Sequence, residues 1–415
     1  MNQNHVKRQG WYLFFLLLIA CLVRIYFAFF SKGLYGDLYC FGTWGDRMAQ
    51  LGPANFYAPD FFCDYPPGYI WILGFVGFLA KLWNISLVEF YGFCMLKLMV
   101  IPFDLFLIFV MYTVMRRYCD FKRTLLFTIC IAFHPIYFVA GVCWGQVDAL
   151  LSVFVVLILY YASLKRWEFA VPLFALAVLI KPQAGLLAVI ALFALVKELC
   201  FIRDKQSIKR MLAGIGLALI ATLVIVLPFS ENQQFPIWLI EKYSETLGSY
   251  PYASLSTGNL MFLLGGNWVE ITEPVFGDVT YGTLGTIGMV VSFLFGVFVY
   301  HRAKSMAAVI LSGAVTYQAL YALSAKIHER YIIPAIALLL LAYALNKDKK
   351  LLLSFLISSV AATVNIWIVL QYDYLYGEME WIGYIIAVCH LAALALTVWS
   401  CLQESFLQNE TNKEE

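Results

Sequence analysis

The chain has 415 residues, of which 62% are hydrophobic and only 13% are charged, whereas soluble domains carry about 25% charged residues. Its net charge of +2 excludes the strongly basic face that neutralises nucleic-acid phosphates. The composition therefore predicts an all-helical, polytopic membrane protein that does not bind nucleic acid.

The first predicted element is a span at 11–30, long enough to cross a bilayer. It is too long for a signal-peptide core and lacks a small-residue cleavage site, so we expect a retained helix. Lys7 and Arg8 precede it, and this basic flank predicts a cytoplasmic N-terminus. Arg24 in this span and Asp104 in the next are costly in hydrocarbon, so each should face the bundle interior or pair, with mutual pairing one alternative.

The apolar segment at 69–83 decides the topology, because it is short for a span. If it crossed the membrane, the basic cluster at 116–123 would face outward, against the positive-inside rule. We therefore expect this segment to lie at the membrane interface, within an exterior loop at 31–91. Lys97, near the outer end of the following span, is expected to extend its ammonium group to the interface.

With that segment at the interface, about twelve spans are predicted, and the basic turns between them fall in the cytoplasm. They lie at about 11–30, 93–115, 124–142, 149–164, 168–181, 184–200, 211–229, 284–300, 306–323, 331–346, 351–371 and 381–402. We divide the chain into a catalytic membrane module at 1–229, a second exterior loop at 230–282, and C-terminal spans with a short cytoplasmic tail at 283–415. Two large loops on one face distinguish this pattern from carriers built as two equal halves.

The ten cysteines contain no CxxC pair and no Cys/His cluster, so neither a metal site nor a disulfide framework is predicted. Free thiols are expected, and pairing of Cys40 with Cys63 stays open if their loop faces an oxidising compartment. The chain also has no DxD carboxylate pair. We therefore predict no metal and no cofactor.

The first exterior loop holds the strongest candidate for an active site. Asp37 comes soon after the first span and follows Gly36, whose backbone freedom is expected to turn the carboxylate toward the bilayer surface. Asp64 and Tyr65 precede the rigid Pro66-Pro67 turn, which fixes the direction of the Asp64 carboxylate. We interpret Asp37 as a general base at the water–membrane boundary, against the alternative of a solvated loop aspartate.

Two further motifs surface on the exterior side. The motif WGQVD contains Trp144, Gln146 and Asp148, and fits either an interfacial aromatic anchor followed by a helix cap or a set that orients a substrate. The motif KPQ contains Lys181 and Gln183. Most other cations of the chain are predicted to face the cytoplasm, so a lysine on the exterior side is unexpected.

The motif KIHERY places three donors for a phosphate, Lys326, His328 and Arg330, around Glu329. We favour an anion site formed with Lys181 over a charged helix cap. The second exterior loop contributes aromatic and amide groups, Asn259 among them, which suit a carbohydrate and equally suit a loop at headgroup depth.

Taken together, these motifs resemble those of the GT-C glycosyltransferases, over the stretch from about Arg24 to Tyr343. The resemblance rests on LYGD at 34–37 with a tryptophan after it, DYPPGY at 64–69, WGQVD at 144–148, KPQ at 181–183, YPYAS at 250–254 followed by Asn259, and KIHERY at 326–331. It is strongest to prokaryotic relatives of the enzyme that adds the second mannose to the glycosylphosphatidylinositol anchor. More distantly, the dolichyl-phosphate-glucose-dependent glucosyltransferases of N-glycan assembly look similar.

The resemblance implies a GT-C fold with interfacial helices in the first exterior loop, a sugar donor on a polyprenyl phosphate, and metal-independent inversion at the anomeric carbon. It implies that Asp37 is the catalytic aspartate and that Asp64 supports the acceptor side. His328 and Arg330, with Lys326, are implied to face the donor phosphate. The chain departs from the glucosyltransferases in a shorter loop after DYPPGY and in Glu-Arg where they have Glu-Lys.

The sequence thus predicts a plasma-membrane hexosyltransferase that moves mannose or glucose from a polyprenyl-phosphate donor to a lipid-linked or glycan acceptor on the extracytoplasmic face. A carrier or flippase for lipid-linked sugars is the alternative, because it would use the same aromatic and basic residues without breaking a bond. A catalytically inactive scaffold is a third interpretation.

Overall fold

The computed structural model describes residues 3–372 and 377–403, with the side chains of 9–372, 377 and 379–403. The cytoplasmic tail predicted at the C-terminus lies outside the described residues. The helices are α1 Gln3–Phe30, α2 Tyr35–Leu51, α3 Pro67–Leu82, α4 Phe90–Arg116, α5 Phe121–Ala132, α6 Pro135–Tyr137, α7 Asp148–Ser163, α8 Trp167–Ile180, α9 Ala188–Val196, α10 Lys205–Val226, α11 Ile237–Gly248, α12 Leu260–Leu263, α13 Tyr281–Arg302, α14 Met306–Leu323, α15 Ile333–Asn346, α16 Lys349–Tyr372 and α17 Glu380–Leu402.

Short 3₁₀ and π-helical segments extend or join these helices. They are Pro53–Asn55, Phe138–Cys143, Pro182–Leu187, Lys197–Ile202, Leu227–Phe229 and Gly377–Met379. Four short strands are β1 Ser254–Leu255, β2 Pro274–Phe276, β3 Val279–Thr280 and β4 Ile327–His328. β1 pairs with β4 in parallel, and β2 pairs with β3 in antiparallel.

Within the described residues, nine helical segments are long and apolar enough to cross a membrane. Each coincides with a predicted span. The predicted spans at 149–164, 168–181 and 331–346 correspond to the shorter helices α7, α8 and α15. These helices exist as predicted, and the total of twelve crossings stays a prediction.

The core of the bundle is formed by α14 and α15, which are buried on nearly all sides and pack against α7 and α16. A second apolar cluster lies where α2 and α3 pack together. Glycine permits their close approach, since a Cβ atom on Gly77 would stand 2.1 Å from the backbone oxygen of Gly45. The segment 31–91 therefore contains a pair of packed helices, and their position at the membrane interface stays a prediction.

Two charges inside the spans form an ion pair. Arg24 Nε lies 2.7 Å from Asp104 Oδ2, and both side chains are almost wholly buried. The mutual pairing that the sequence left open is thus confirmed. Lys97 was expected to extend its ammonium group to the interface. Its side chain is buried, and Nζ donates a hydrogen bond of 2.6 Å to the backbone oxygen of Ser31, the residue after α1, which ties α4 to that end of α1.

The segment 230–282, predicted as the second exterior loop, is bound to the C-terminal part of the chain by backbone and amide hydrogen bonds. Through β1 and β4, Ser254 and Leu255 pair with Ile327 and His328. Asn365 on α16 donates from Nδ2 to the Ser256 oxygen at 2.7 Å and accepts from the backbone N–H of Gly258. The loop is therefore an ordered wall built against the KIHERY segment.

The buried Arg24–Asp104 pair gives a prediction of stability. Replacing Arg24 with Leu leaves Asp104 buried and uncompensated, so the apparent free energy of unfolding should fall by about 3–5 kcal/mol. Replacing Asp104 with Leu as well removes the unpaired buried charge, so most of the lost free energy of unfolding should be recovered. Denaturant titration in detergent measures both variants, and a double variant as unstable as the single one would contradict this account.

Candidate functional site

Asp37 lies in the first turn of α2, where the positive end of the helix dipole favours a carboxylate. Gly36 is part of the same helix and is not among the glycines with positive φ. The expected use of its backbone freedom was therefore wrong: the helix itself directs the Asp37 side chain.

One oxygen of Asp37 is held by two donors from the WGQVD motif. Trp144 Nε1 donates to Oδ2 at 2.8 Å, and Gln146 Nε2 donates to the same oxygen at 2.5 Å. No hydrogen bond within the described residues engages the other oxygen, Oδ1. Because Trp144 is buried rather than at the membrane surface, the interpretation of this motif as an interfacial anchor was wrong.

A second layer of contacts fixes the Gln146 amide. Its Oε1 accepts from the Tyr65 hydroxyl at 3.1 Å and from Lys181 Nζ at 3.3 Å. Two donors at the oxygen leave the NH₂ group directed to Asp37. Lys181 also forms a buried ion pair with Asp148, with Nζ 2.5 Å from Oδ1.

Two cavities meet at Asp37. The larger, of about 400 Å³, also contains Asp64, Gln183 and Lys326 among its lining residues. The smaller, of about 360 Å³, is lined by aromatic and polar groups that include Trp144 and Glu329. Four residues line both cavities: Asp37, Tyr250, His328 and Arg330.

Arg330 is the principal cation of this junction. Its Nη1 lies 3.1 Å from Glu329 Oε1, and its guanidinium stands 5.6 Å from the ring centroid of Trp144. Its Nε is buried and has no hydrogen-bond partner in the part of the chain that the structure describes. A buried N–H without a partner is costly, so this donor is available to a bound acceptor atom.

His328 lies beside Arg330 and packs edge-on against the Tyr250 ring, with centroids 5.1 Å apart. Burial lowers the pKa of His328 well below its usual range, and the Arg330 and Lys181 cations act in the same direction. The imidazole is therefore neutral at pH 7, so it donates from one ring nitrogen and carries no charge.

Asp64 faces the larger cavity and does not line the smaller one. Its Oδ2 accepts from the Tyr250 hydroxyl at 3.3 Å. Burial raises the pKa of Asp64, and the nearby Asp37 adds to the rise. Thr246 Oγ1 donates to the Asp64 backbone oxygen at 3.1 Å, so α11 helps to hold this turn.

Some predicted site residues lie behind the cavity walls. Asn259 is buried, caps α12 through Phe262 N, and donates to the backbone oxygens of Tyr321 and Ser324. Its amide therefore fixes the loop, which contradicts its expected contact with a substrate. Lys181 and Asp148 are buried together, so they support Gln146; Lys181 does not extend the cation cluster as an open phosphate donor.

Lys326 and Gln183 do reach the larger cavity. Lys326 adopts a φ of 61°, and its Nζ donates to the Leu247 backbone oxygen at 2.5 Å. Gln183 Oε1 is buried and has no hydrogen-bond partner within residues 3–372 and 377–403. An open acceptor on the cavity wall suits a hydroxyl donor.

The site also contains residues that the motif analysis did not assign to it. Tyr250 joins Asp64 to His328, and Cys40, Phe41 and Trp44 on α2 line the larger cavity. For the last three, helical spacing after Asp37 was the available signal: 37, 40, 41 and 44 share one face of a helix. Cys40 and Cys63 both have free thiols, so they do not pair with each other. Within the described ranges no group of three His, Cys, Asp or Glu residues could hold a metal ion.

No protein-family model matches the sequence, and no curated protein matches it. Among solved structures, the chain is similar to the crystal structure of ArnT from Cupriavidus metallidurans bound to undecaprenyl phosphate. The TM-score is 0.51 at 15% sequence identity, and the match covers 94% of this chain and 77% of that one. The chain has the GT-C fold. This finding confirms the predicted fold class and, with the apolar helices, a multi-pass membrane protein.

The two carboxylates of the larger cavity give a prediction for Cys40. Burial raises the pKa of the Cys40 thiol to about 11, and Asp37 and Asp64 contribute to the rise. Because the thiolate is the reactive form, the rate of alkylation by iodoacetamide should keep increasing up to about pH 11, whereas a thiol with a pKa of about 8.5 levels off earlier.

Replacing Asp64 with Asn removes one of these negative charges, so the Cys40 profile should move to lower pH. Asp60 is exposed and is not a cause of the shift, so Asp60→Asn serves as the matched control and should leave the profile unchanged. Mass spectrometry of the peptide containing Cys40 gives the rate. A profile that levels off near pH 9 in the unmodified chain would show that the thiol does not face these carboxylates.

Proposed function

We propose that the protein is a membrane glycosyltransferase that transfers a hexose, mannose or glucose, from a polyprenyl-phosphate donor to a lipid-linked or glycan acceptor. The observation that carries the proposal is the state of Asp37. One of its oxygens is saturated by Trp144 and Gln146, the other is open, and the carboxylate stands where two cavities meet beside Arg330. A transferase needs this arrangement, because a base must reach one substrate while the leaving group of the other is stabilised.

The larger cavity suits the donor. Three of its lining residues, Leu186, Met289 and Leu320, come from segments long and apolar enough to span the membrane, and they suit an isoprenoid chain. Arg330 and neutral His328 line both this cavity and the smaller one, and we assign the phosphate to this junction. ArnT, which shares the fold, was crystallised with undecaprenyl phosphate, a ligand of the same chemistry.

Asp64 and Gln183 line the same cavity as this donor. Both offer acceptors for sugar hydroxyls, and Gln183 Oε1 has no other partner in the described part of the chain. We therefore assign them to the donor hexose, in place of the acceptor-side role that the resemblance implied for Asp64.

The smaller cavity suits the acceptor. Its lining combines the aromatic rings of Tyr35, Trp144 and Trp268 with the hydroxyl group of Ser256. Aromatic faces pack against sugar rings and hydroxyl groups pair with sugar hydroxyls, so this composition fits a glycan or the sugar of a lipid-linked acceptor.

Transfer takes place in one displacement. Asp37 Oδ1 accepts the proton of the acceptor hydroxyl while that oxygen bonds to the anomeric carbon of the donor. The bond from this carbon to the phosphate oxygen breaks, and its electron pair leaves with the polyprenyl phosphate. Attack from the opposite face inverts the anomeric carbon. Arg330 stabilises the charge that develops on the leaving phosphate.

This mechanism assigns no step to a metal or another cofactor. The leaving group is a monophosphate, and the Arg330 guanidinium supplies a positive charge and N–H donors in a largely buried site. We place the site on the extracytoplasmic face of the plasma membrane, because the basic turns of the chain cluster at the other end of the spans.

Replacing Asp37 with Asn tests the base. The amide cannot accept the proton, so turnover should fall by at least about 100-fold, while donor binding remains. The assay uses purified protein in nanodiscs, radiolabelled polyprenyl-phosphate mannose or glucose, and a lipid extract as the acceptor source. Asp60→Asn, which changes an exposed aspartate of the same loop, should retain full activity.

Label that moves to a new lipid or glycan only with an intact Asp37 would support transfer. Undiminished activity of Asp37→Asn would remove this residue from the role. If the label stays on the donor under every condition while the protein moves the donor across a bilayer, the carrier interpretation replaces the transferase.

Replacing Arg330 with Gln tests the phosphate site. Because Glu329 would then be buried without its partner, the informative comparison is Arg330→Gln/Glu329→Gln against Glu329→Gln alone. Loss of a charge-assisted hydrogen bond should raise the apparent KM for the donor by about 10- to 100-fold. The KM for the acceptor should change much less. Equal donor KM values in the two variants would count against a phosphate contact at Arg330.

A further inference from the structure

A third cavity lies away from Asp37, toward the other end of the same helices. It has a volume of about 270 Å³. α8 begins at this cavity with Trp167, and the residue after its last turn, Lys181, lies beside the candidate active site. On α13, Met289 lines the larger cavity and Tyr300 lines this one. The two cavities therefore belong to opposite ends of the bundle.

The lining of this cavity is almost entirely apolar and comes from α7, α8, α9, α10 and α13. Leu192 on α9 is 61% exposed although it lines the cavity. Since α9 belongs to a segment apolar enough to span the membrane, an exposed leucine at this depth faces hydrocarbon. The cavity is thus open to the acyl region of the bilayer.

The end of the bundle that holds this cavity is strongly basic. The segments 164–168, 197–210 and 301–305 carry nine cationic side chains and three carboxylates. The cations are Lys165, Arg166, Lys197, Arg203, Lys205, Lys209, Arg210, Arg302 and Lys304. Two of the carboxylates, Glu168 and Glu198, are paired within this group, and Asp204 caps α10. Most of the positive charge is therefore uncompensated.

Lys197 connects the basic segments to the cavity. It begins the π-helical turn that follows α9, and its ammonium group lies 5.6 Å from the ring centroid of Tyr300, which lines the cavity. Lys197 Nζ donates one hydrogen bond, to the backbone oxygen of His301 at 3.0 Å. An ammonium group has three N–H donors, so further acceptors can bind here.

The next residue, Glu198, has an unmet hydrogen-bonding requirement. Its side chain is 5% exposed, and Lys165 Nζ lies 3.4 Å from Oε1. Its other oxygen, Oε2, is buried and has no partner among the residues that the structure describes. A buried carboxylate oxygen of this kind is stabilised by a donor such as a hydroxyl group.

We propose that this cavity and its basic rim bind one anionic phospholipid of the cytoplasmic leaflet whose headgroup carries a hydroxyl, as in phosphatidylglycerol. An acyl chain occupies the apolar cavity, and the phosphate contacts Lys197. The headgroup hydroxyl donates to Glu198 Oε2. The excess of positive charge at this end selects an anionic headgroup over a zwitterionic one. The site is independent of the proposed transferase reaction, because it shares no residue with the cavities around Asp37.

The test measures lipid retention and thermal stability of the purified full chain. Native mass spectrometry after exchange into an equimolar mixture of phosphatidylglycerol and phosphatidylcholine should show one phosphatidylglycerol retained preferentially. Added phosphatidylglycerol should raise the melting temperature by several degrees more than added phosphatidylcholine. Equal retention of the two lipids would overturn the proposal.

Two variants, with one control, test the headgroup contact and the acyl-chain contact separately. Lys197→Gln should reduce the preference for phosphatidylglycerol at least fivefold. Lys349→Gln, which removes an exposed lysine at the start of α16 away from the cavity, should leave the preference unchanged. Equal losses in both variants would indicate general attraction to basic charge and would contradict a specific site. Ala191→Phe places a ring in the cavity and should release the lipid; full retention would show that the chain lies elsewhere.

Discussion

The candidate active site depends on how one carboxylate is held. Asp37 has two chemically equivalent oxygens, and two donors from the WGQVD motif make them different by engaging only Oδ2. The Gln146 amide can serve as a donor there only because Tyr65 and Lys181 occupy its oxygen. Lys181 in turn is fixed by Asp148. Three segments distant from Asp37 in sequence thus determine that Oδ2 is the engaged oxygen of this carboxylate.

Charge balance is the second constraint on this site. Arg330 would be expensive to bury alone, and Glu329 offsets part of that cost. In the proposed reaction, the donor phosphate therefore meets a cation already oriented by Glu329 and by the Trp144 ring. Burial also keeps His328 neutral, so the junction holds less positive charge than KIHERY suggests. Less positive charge weakens the electrostatic attraction of an anion to the junction. The geometry of the hydrogen bonds therefore contributes more to the binding of an anion there.

The sequence could predict the elements and the residue set better than the contacts. Apolar length located the spans, and the cost of charge in hydrocarbon predicted that Arg24 and Asp104 face the bundle interior or pair, with their mutual pairing one alternative that the structure selects. The motifs allowed Asp37 and Arg330 to be predicted in one site, because both were assigned to the exterior face of the membrane. Asn259 could not be assigned correctly, since a capping amide and a sugar-binding amide have the same sequence signature. The roles of Gln146 and Lys181 depend on tertiary packing that no local pattern encodes.

The parallel pairing of β1 with β4 has a consequence for how such a protein can diverge. Through this pairing the second exterior loop, which supplies Leu255, Ser256 and Trp268 to the smaller cavity, shares a backbone ladder with the segment that carries His328 and Arg330. Under the proposed function, an insertion that reshaped the loop for a new acceptor would also displace the residues that we assign to the donor. Selection on one substrate is therefore coupled to the other, and side-chain exchange on the existing loop is the less disruptive evolutionary route.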